Sequence, residues 1–172
     1  MQIDSMNILY DEQTINNKVV ELAKAISDDF KDKDPIIVCL LESSIFFFSD
    51  LFQQLNFVAY PDYIICEHDS NDKSQFKLVR DVRTDITGRN VVIVSNINEN
   101  GSTLHYLLET LHKRNPASLK ICCLFDKKVK KTCTVPIDYL GFSVDDQFLV
   151  GYGLDYKGTF TNLPVVGTIK NM

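Results

Sequence analysis

The fold is decided by one stretch of the chain: Val91-Val92-Ile93-Val94-Ser95-Asn96-Ile97-Asn98-Glu99-Asn100-Gly101-Ser102-Thr103-Leu104. Its first four residues form a continuous apolar run, which is typical of a strand buried on both faces of a parallel sheet. A polar loop with one glycine follows, and Ser102 and Thr103 then open a helix with leucines at helical spacing. Free backbone N–H groups at such a helix start favour a bound anion. The alternative is a turn whose Ser or Thr only caps the helix.

The same alternation of strand and helix extends through the rest of the chain. Apolar side chains at helical spacing predict helices over 12–30, over 45–55 and from 102 onward. Short apolar runs predict strands at 36–41, 63–66, 76–79, 91–94, 119–124, 139–142, 148–152 and 165–169. A polar, hairpin-like loop is predicted at 67–75 and a polar loop at 95–101. Strands that alternate with helices predict an α/β protein built on an open parallel sheet, with 1–172 as a single domain.

The composition of the chain excludes several classes of protein. The chain has 172 residues, 45% hydrophobic and 24% charged, which is typical of one globular domain. A net charge of −5 argues against nucleic acid as a partner, and no apolar run reaches the roughly 18 residues of a membrane span. The N-terminus lacks the pattern of a signal peptide. Five cysteines without a C-x-x-C spacing indicate reduced thiols and a cytoplasmic location.

Several motifs together resemble the hypoxanthine–guanine phosphoribosyltransferases. The stretch from Val92 to Leu104 resembles their phosphoribosyl pyrophosphate signature, and the longest match is Phe148-Leu149-Val150-Gly151-Tyr152-Gly153-Leu154-Asp155-Tyr156. Further matches are Asp85-Ile86-x-Gly88-Arg89-Asn90-Val91, Leu124-Phe125-Asp126-Lys127 and Asp138-Tyr139-x-Gly141-Phe142. The resemblance implies the type I phosphoribosyltransferase fold, a parallel sheet flanked by helices with a small C-terminal β-rich hood. It also implies a reaction in which a purine nitrogen displaces pyrophosphate from ribose, with Mg²⁺ compensating the phosphate charge.

The resemblance assigns most purine-binding positions to suitable residues. Lys127 falls where the family has a lysine that donates to the exocyclic oxygen of the purine. Phe148 matches the aromatic residue that stacks on the base, and Leu149 replaces a valine at the ring edge. Asp155 matches a carboxylate that helps to hold Mg²⁺. Two alternatives do not involve a ligand: Lys127 as part of a solvent-exposed run of lysines, and Phe148 as a residue packed in the core.

The loop after the decisive strand is predicted to bind the 5′-phosphate. Asn100, Gly101, Ser102 and Thr103 retain the glycine, a hydroxyl and other donors that a phosphate needs. Glu99 stands where the family has an aspartate taken as the general base. Its side chain is one methylene longer, and a shift of about 1 Å in a catalytic group can cost about 100-fold in rate.

The positions that would hold ribose and pyrophosphate are altered. Ser95 and Asn96 replace an acidic pair, so charge-assisted hydrogen bonds to the ribose are lost. Glu42 and Ser43 replace the lysine and glycine of the pyrophosphate loop, and Thr161 replaces an arginine. The family's Ser-Tyr pair of the lid is not evident in 67–70. All of these changes fall on one half of the substrate.

Three functions follow from this pattern. The preferred hypothesis is a protein of purine-salvage ancestry that keeps a pocket for IMP or GMP, has weak or no catalysis and serves a regulatory role. The second is an active hypoxanthine phosphoribosyltransferase that uses Glu99 as base and needs Mg²⁺. The third is a structural subunit that completes a hetero-oligomer with an active paralogue. The expected partners are a purine base or nucleotide and further subunits, as a homo-oligomer or a hetero-oligomer.

Overall fold

The computed structural model describes residues 5–69 and 75–170. In chain order its elements are β1 Met6–Tyr10, α1 Glu12–Phe30, β2 Ile36–Leu41, α2 Ile45–Gln54, β3 Tyr60–His68, β4 Phe76–Arg80, β5 Asn90–Asn98, α3 Ser102–His112, β6 Ser118–Lys127, β7 Tyr139–Val144 and β8 Val166–Ile169. The predicted helices agree with α1, α2 and α3. Part of the predicted loop 67–75 lies outside the described residues. No described helix is long and apolar enough to cross a membrane.

A six-stranded sheet in the order β4-β3-β2-β5-β6-β7 forms the centre of the molecule. β3, β2, β5, β6 and β7 run parallel, whereas β4 is antiparallel to β3. The predicted parallel sheet is confirmed for these five strands, and the antiparallel edge agrees with the hairpin-like loop predicted before β4. Parallel neighbours need a crossover of a dozen or more residues, and only seven residues separate β3 from β4, so these two strands form a hairpin.

Helices cover both faces of the sheet. On one face α1 and α2 bury Ile15, Ile26 and Phe47 completely, and on the other α3 buries Leu107 and Leu111. Adjacent cysteines of β6 show the period-two alternation of a strand, because Cys122 packs in the first cluster and Cys123 in the second. All five cysteines are free thiols, as the sequence predicted.

A second, two-stranded sheet of β1 and β8 makes up part of the predicted hood. The expected strand at 148–152 is absent from the described structure, where Val150 and Gly151 make only isolated bridges. The backbone turns sharply here, since Gly151, Tyr152 and Gly153 have φ values of 99°, 51° and 93°. Residues in the left-handed region cannot continue a strand.

β5 is longer than the sequence predicted. Its pairing with β6 continues to Asn98 opposite Asp126, so 95–98 belong to the strand and not to the expected loop. Burial explains the extension, because the polar side chains of Ser95, Asn96 and Asn98 are each at most 4% exposed. Glu99 consequently lies directly after the carboxyl end of a central strand, where α/β proteins bind their ligands.

Candidate functional site

Two cavities open at the carboxyl ends of the central strands. The first, here called the β5 pocket, measures about 280 Å³ and is lined by Leu40, Leu41, Ser43, Cys66, His68, Phe76, Ser95, Ile97, Asn98, Glu99, Asn100, Gly101, Thr103 and Leu104. The second, here called the acidic pocket, measures about 420 Å³ and is lined by Glu42, Ser43, Ile45, Phe46, Gly153, Asp155, Gly158 and Thr161. Ser43 lines both, so the two cavities are neighbours.

The loop before α3 has a conformation that requires glycine. Gly101 has φ 89°, and a Cβ atom there would lie 1.8 Å from the carbonyl oxygen of Cys133, so only glycine fits. The backbone N–H groups of Thr132 and Cys133 donate to the carbonyl of Asn100, which fixes the loop from behind. Asn100 Oδ1 accepts from the N–H of Ser102 at 3.0 Å. Helix α3 therefore points its positive N-terminal end at the β5 pocket.

Glu99 and Lys127 form an ion pair at the ends of β5 and β6. Lys127 Nζ lies 2.7 Å from Glu99 Oε1, and the lysine side chain is 9% exposed whereas that of the glutamate is 63% exposed. The residue Lys127 as a whole is buried, in contrast to the exposed Lys128 and Lys130. The hypothesis that Lys127 belongs to a solvated lysine run is therefore wrong.

Lys131, a member of the lysine run that begins at Lys127, holds the backbone at Glu99 in place. Its Nζ donates to the carbonyl of Glu99 at 2.8 Å and to Asp126 Oδ1 at 2.7 Å. Asn98 Nδ2 donates to the same carboxylate oxygen at 2.7 Å. Lys131 and Asp126 are five residues apart, which matches no helix or strand pattern, so the sequence does not predict this contact.

Phe148 is available for contact with a ligand. Its side chain is 48% exposed, and its ring meets that of Tyr156 edge to face at 5.9 Å between centroids. A core role for Phe148 is therefore excluded. Leu149 is 5% exposed and lines a separate cleft beside Tyr10 and Lys128.

Asn96 is placed differently from its neighbour Ser95. Ser95 lines the β5 pocket, but Asn96 is completely buried and lines neither of the two cavities. Its Nδ2 donates to the carbonyl oxygens of Ser43 at 3.0 Å and Tyr152 at 2.7 Å, and its backbone N–H donates to Ser44 Oγ at 2.9 Å. Asn96 thus ties β5, the β2–α2 loop and the hood together.

The acidic pocket contains the other altered positions. Glu42, Ser43 and Thr161 line it together with Asp155, whose Oδ2 accepts from the N–H of Gly158 at 2.8 Å. Among the described residues lining this cavity there is no lysine, arginine or histidine. Its fixed charges are therefore negative, while Ile45 and Phe46 supply partly exposed apolar surface.

Thiol chemistry in the β5 pocket is disfavoured. Burial, with a smaller contribution from the charge of Glu67, raises the pKa of Cys66 to about 11. A thiol with so high a pKa stays protonated near neutral pH and is a poor nucleophile.

Comparison with known proteins assigns the family. The model of the phosphoribosyl transferase domain matches residues 5–157. The chain belongs to the hypoxanthine–guanine phosphoribosyltransferase family, as its relatives of that name show. The type I phosphoribosyltransferase fold that the resemblance implied is thereby confirmed, with a central sheet of five parallel strands and one antiparallel edge strand.

Individual relatives match along nearly their whole length. The chain is 42% identical to the hypoxanthine-guanine-xanthine phosphoribosyltransferase of Tritrichomonas foetus, covering 99% of this chain and 94% of that one. It is 32% identical to the hypoxanthine-guanine phosphoribosyltransferase of Bacillus subtilis, covering 99% and 96%. A crystal structure of a hypoxanthine phosphoribosyltransferase from Staphylococcus aureus superposes with a TM-score of 0.93 at 30% identity, covering 99% and 98%.

Proposed function

We propose that this protein binds a purine nucleoside 5′-monophosphate, IMP or GMP, and that its use of phosphoribosyl pyrophosphate is weak or lost. Membership in the family supplies the substrate class. The site is divided into a nucleotide half, for the base and the 5′-phosphate, and a pyrophosphate half. This division rests on the geometry of the β5 pocket and the acidic pocket.

The nucleotide half has the groups that it needs. The loop Asn100–Thr103 offers backbone N–H groups, a hydroxyl and the positive end of α3 to a phosphate. Lys127 lies at the end of the adjacent strand with its ammonium 2.7 Å from Glu99, and the exposed ring of Phe148 is free to stack on a base. These contacts require neither pyrophosphate nor a metal ion.

The charge of the acidic pocket supports the proposal that the use of phosphoribosyl pyrophosphate is weak or lost. Pyrophosphate bears several negative charges, and a cavity for it is expected to offer cations or a bridging metal. The described lining instead presents the carboxylates of Glu42 and Asp155, with Thr161 in place of an arginine. Two carboxylates repel pyrophosphate unless a cation lies between them.

Mg²⁺ fits this pocket to a limited extent. Carboxylate oxygens of Glu42 and Asp155 are hard ligands that suit the ion, and Mg²⁺ is commonly held by one or two carboxylates together with substrate phosphates. The described residues contain no group of three or more His, Cys, Asp or Glu side chains placed to hold a metal by themselves. Any Mg²⁺ would therefore need water or substrate oxygens to complete its coordination, and the ion would neutralise phosphate charge when bound.

Thermal shift measurements test the proposal. We expect IMP or GMP to raise the melting temperature, because ligands that bind only the folded state stabilise it. Phosphoribosyl pyrophosphate with Mg²⁺ should raise it less. Equal or greater stabilisation by phosphoribosyl pyrophosphate would show that the acidic pocket accepts pyrophosphate, and absence of any shift with either nucleotide would leave the structural-subunit hypothesis.

An active hypoxanthine phosphoribosyltransferase is the second candidate, and one observation favours it. The carboxylate of Glu99 lies beside Lys127, so a potential base is present next to the proposed purine position. A steady-state assay with phosphoribosyl pyrophosphate, Mg²⁺ and each purine separates the two functions. Turnover in the common enzymatic range of about 1–1000 per second would establish the active enzyme and overturn the preferred proposal.

A further inference from the structure

The C-terminal hood is tied to helix α2 by a hydrogen bond between a tyrosine and an aspartate. The hydroxyl of Tyr152 donates to Asp50 Oδ2 at 2.6 Å. The tyrosine is 6% exposed and packs in the core cluster that α1 and α2 cover, and Asp50 lies in the middle of α2. The backbone carbonyl of Tyr152 also accepts from Asn96 Nδ2 at 2.7 Å. Two elements distant in sequence, α2 and β5, therefore hold the same residue of the hood.

Residues 148–156, here called the hood turn, carry the aromatic ring that is proposed to stack on the purine. Gly151 and Leu154 exchange backbone hydrogen bonds of 2.8 and 3.0 Å, which closes the turn. The two flanks of the turn meet where the ring of Phe148 packs edge to face against that of Tyr156. The direction in which Phe148 faces therefore depends on how the closed end of the turn is held.

The closed end of the hood turn has a strained backbone. Tyr152 has a φ of 51°, in the left-handed region that is costly for a bulky side chain. Such a conformation persists only where its surroundings hold it. A hydrogen bond to a carboxylate is among the stronger ones that a side chain makes, so the contact with Asp50 is suited to hold it.

We propose that Asp50 is a positioning residue for nucleotide binding. By accepting the hydrogen bond of Tyr152, it holds the hood turn in the orientation in which Phe148 faces the purine. Asp50 itself lines neither the β5 pocket nor the acidic pocket. The inference rests on the proposed function, because it takes Phe148 as the residue that stacks on the base. The phosphate loop is held from another segment, by Thr132 and Cys133, so its contacts should not depend on Asp50.

The variant Tyr152→Phe tests this role, since it keeps the ring in the core and removes the hydroxyl. Calorimetry measures the affinity for IMP, which has both base and phosphate. Ligand-observed NMR at millimolar concentration measures that for ribose 5-phosphate, which has no base. Tyr139→Phe is the matched control: the Tyr139 hydroxyl likewise donates to an aspartate, Asp29, and the ring is 7% exposed in the same core cluster. Tyr139 lines neither pocket.

We expect Tyr152→Phe and Asp50→Ala to bind IMP about tenfold more weakly, the loss of one hydrogen bond to a charged group, and to bind ribose 5-phosphate unchanged. Asp50→Asn keeps an oxygen acceptor and should retain most of the affinity for IMP. Tyr139→Phe should bind both ligands normally. In a Phe148→Ala background, Tyr152→Phe should cause no further loss, because both changes act on the same contact with the base.

Equal losses for IMP and ribose 5-phosphate, or an equal loss caused by Tyr139→Phe, would show that the hydrogen bond only stabilises the fold. Either result, or unchanged IMP binding by Tyr152→Phe, would overturn the role of Asp50 while the proposed function stands. Should Tyr152→Phe not fold, the two Asp50 variants decide: equal IMP affinities of Asp50→Asn and Asp50→Ala would overturn it. Failure of the unmodified protein to bind IMP would overturn both the role of Asp50 and the proposed function.

Discussion

At the scale of single residues, Lys127 is the sharpest test of the purine half of the site. Lys127→Ala removes the ammonium that lies beside Glu99 and should weaken IMP binding by about 1–3 kcal/mol, because a purine oxygen would lose its donor. Calorimetric titration with IMP measures the loss. Lys130→Ala is the control, since Lys130 is an exposed lysine three residues away. Normal IMP binding by both variants would remove Lys127 from the site.

Asn96 supplies a second test, in which the structure changes the expected outcome. Restoring the family's acid with Asn96→Asp removes the two Nδ2 hydrogen bonds and places a carboxylate against the carbonyl oxygens of Ser43 and Tyr152. We expect the free energy of unfolding to fall by about 2–5 kcal/mol, the cost of a buried and unpaired charge.

Urea denaturation measures that change in the free energy of unfolding. Asn100→Asp is the matched control: the same chemical change leaves an acceptor for the N–H of Ser102 near the start of α3, where a negative charge is favourable. If Asn96→Asp were as stable as the unmodified protein, the side chain would not tie β5 to the β2–α2 loop and the hood.

At the scale of elements, the junction of β5 and α3 depends on its glycine. Gly101→Ala would place Cβ 1.8 Å from the carbonyl oxygen of Cys133, a backbone atom that moves only with its own segment. We expect it to lower the free energy of unfolding by more than about 2 kcal/mol and to abolish IMP binding, as the phosphate loop must shift.

Gly88→Ala is the control that separates the steric clash expected at Gly101 from the strain of a positive φ. Gly88 also has a positive φ, 66°, but no heavy atom lies within 4 Å of the point that a Cβ would occupy there. Its substitution should cost only the strain of a left-handed residue, about 1–2 kcal/mol, and leave IMP binding intact. Similar destabilisation by the two substitutions in urea denaturation would show that the contact between Gly101 and Cys133 is unimportant.

At the scale of the whole molecule, the altered positions come from separate segments and act as one surface. Glu42 and Ser43 follow β2, Ser95 and Glu99 lie at the end of β5, and Thr161 belongs to the hood. The combined variant Glu42→Lys, Ser43→Gly, Ser95→Glu, Glu99→Asp and Thr161→Arg, with Asn96 retained, should gain binding of phosphoribosyl pyrophosphate with Mg²⁺. It should also gain some nucleotide synthesis, which single changes would not restore.

Glu42→Lys is the one single change that should strengthen the binding of phosphoribosyl pyrophosphate. It exchanges a repulsive charge for an attractive one and should strengthen phosphoribosyl pyrophosphate binding by about 1–2 kcal/mol at low salt, decreasing as salt is added. Calorimetry at two ionic strengths measures both effects. A folded combined variant that neither binds phosphoribosyl pyrophosphate nor forms nucleotide would place the defect elsewhere, and efficient turnover by the unmodified protein would show that there is no defect to reverse.

The sequence by itself determined the α/β class, the family and most element positions, because these depend on periodicity and on local motifs. The apolar run at 91–94 and the leucines of α3 specify their structures within a few residues of chain. The motif around Gly101 likewise predicts the loop that precedes α3. The antiparallel edge strand follows from loop length, a local property, and the polar stretch 67–75 accordingly predicts a hairpin-like loop.

Only the tertiary structure decided which polar residues line a cavity and which are buried, because that depends on partners distant in sequence. Asn96 and Ser95 are neighbours in the chain, yet one is tied to Ser43 and Tyr152 while the other lines the β5 pocket. His68 reaches the same pocket through a hairpin. Burial, hydrogen bonding and charge at such positions are set by contacts 50 or so residues apart, and no local pattern encodes them.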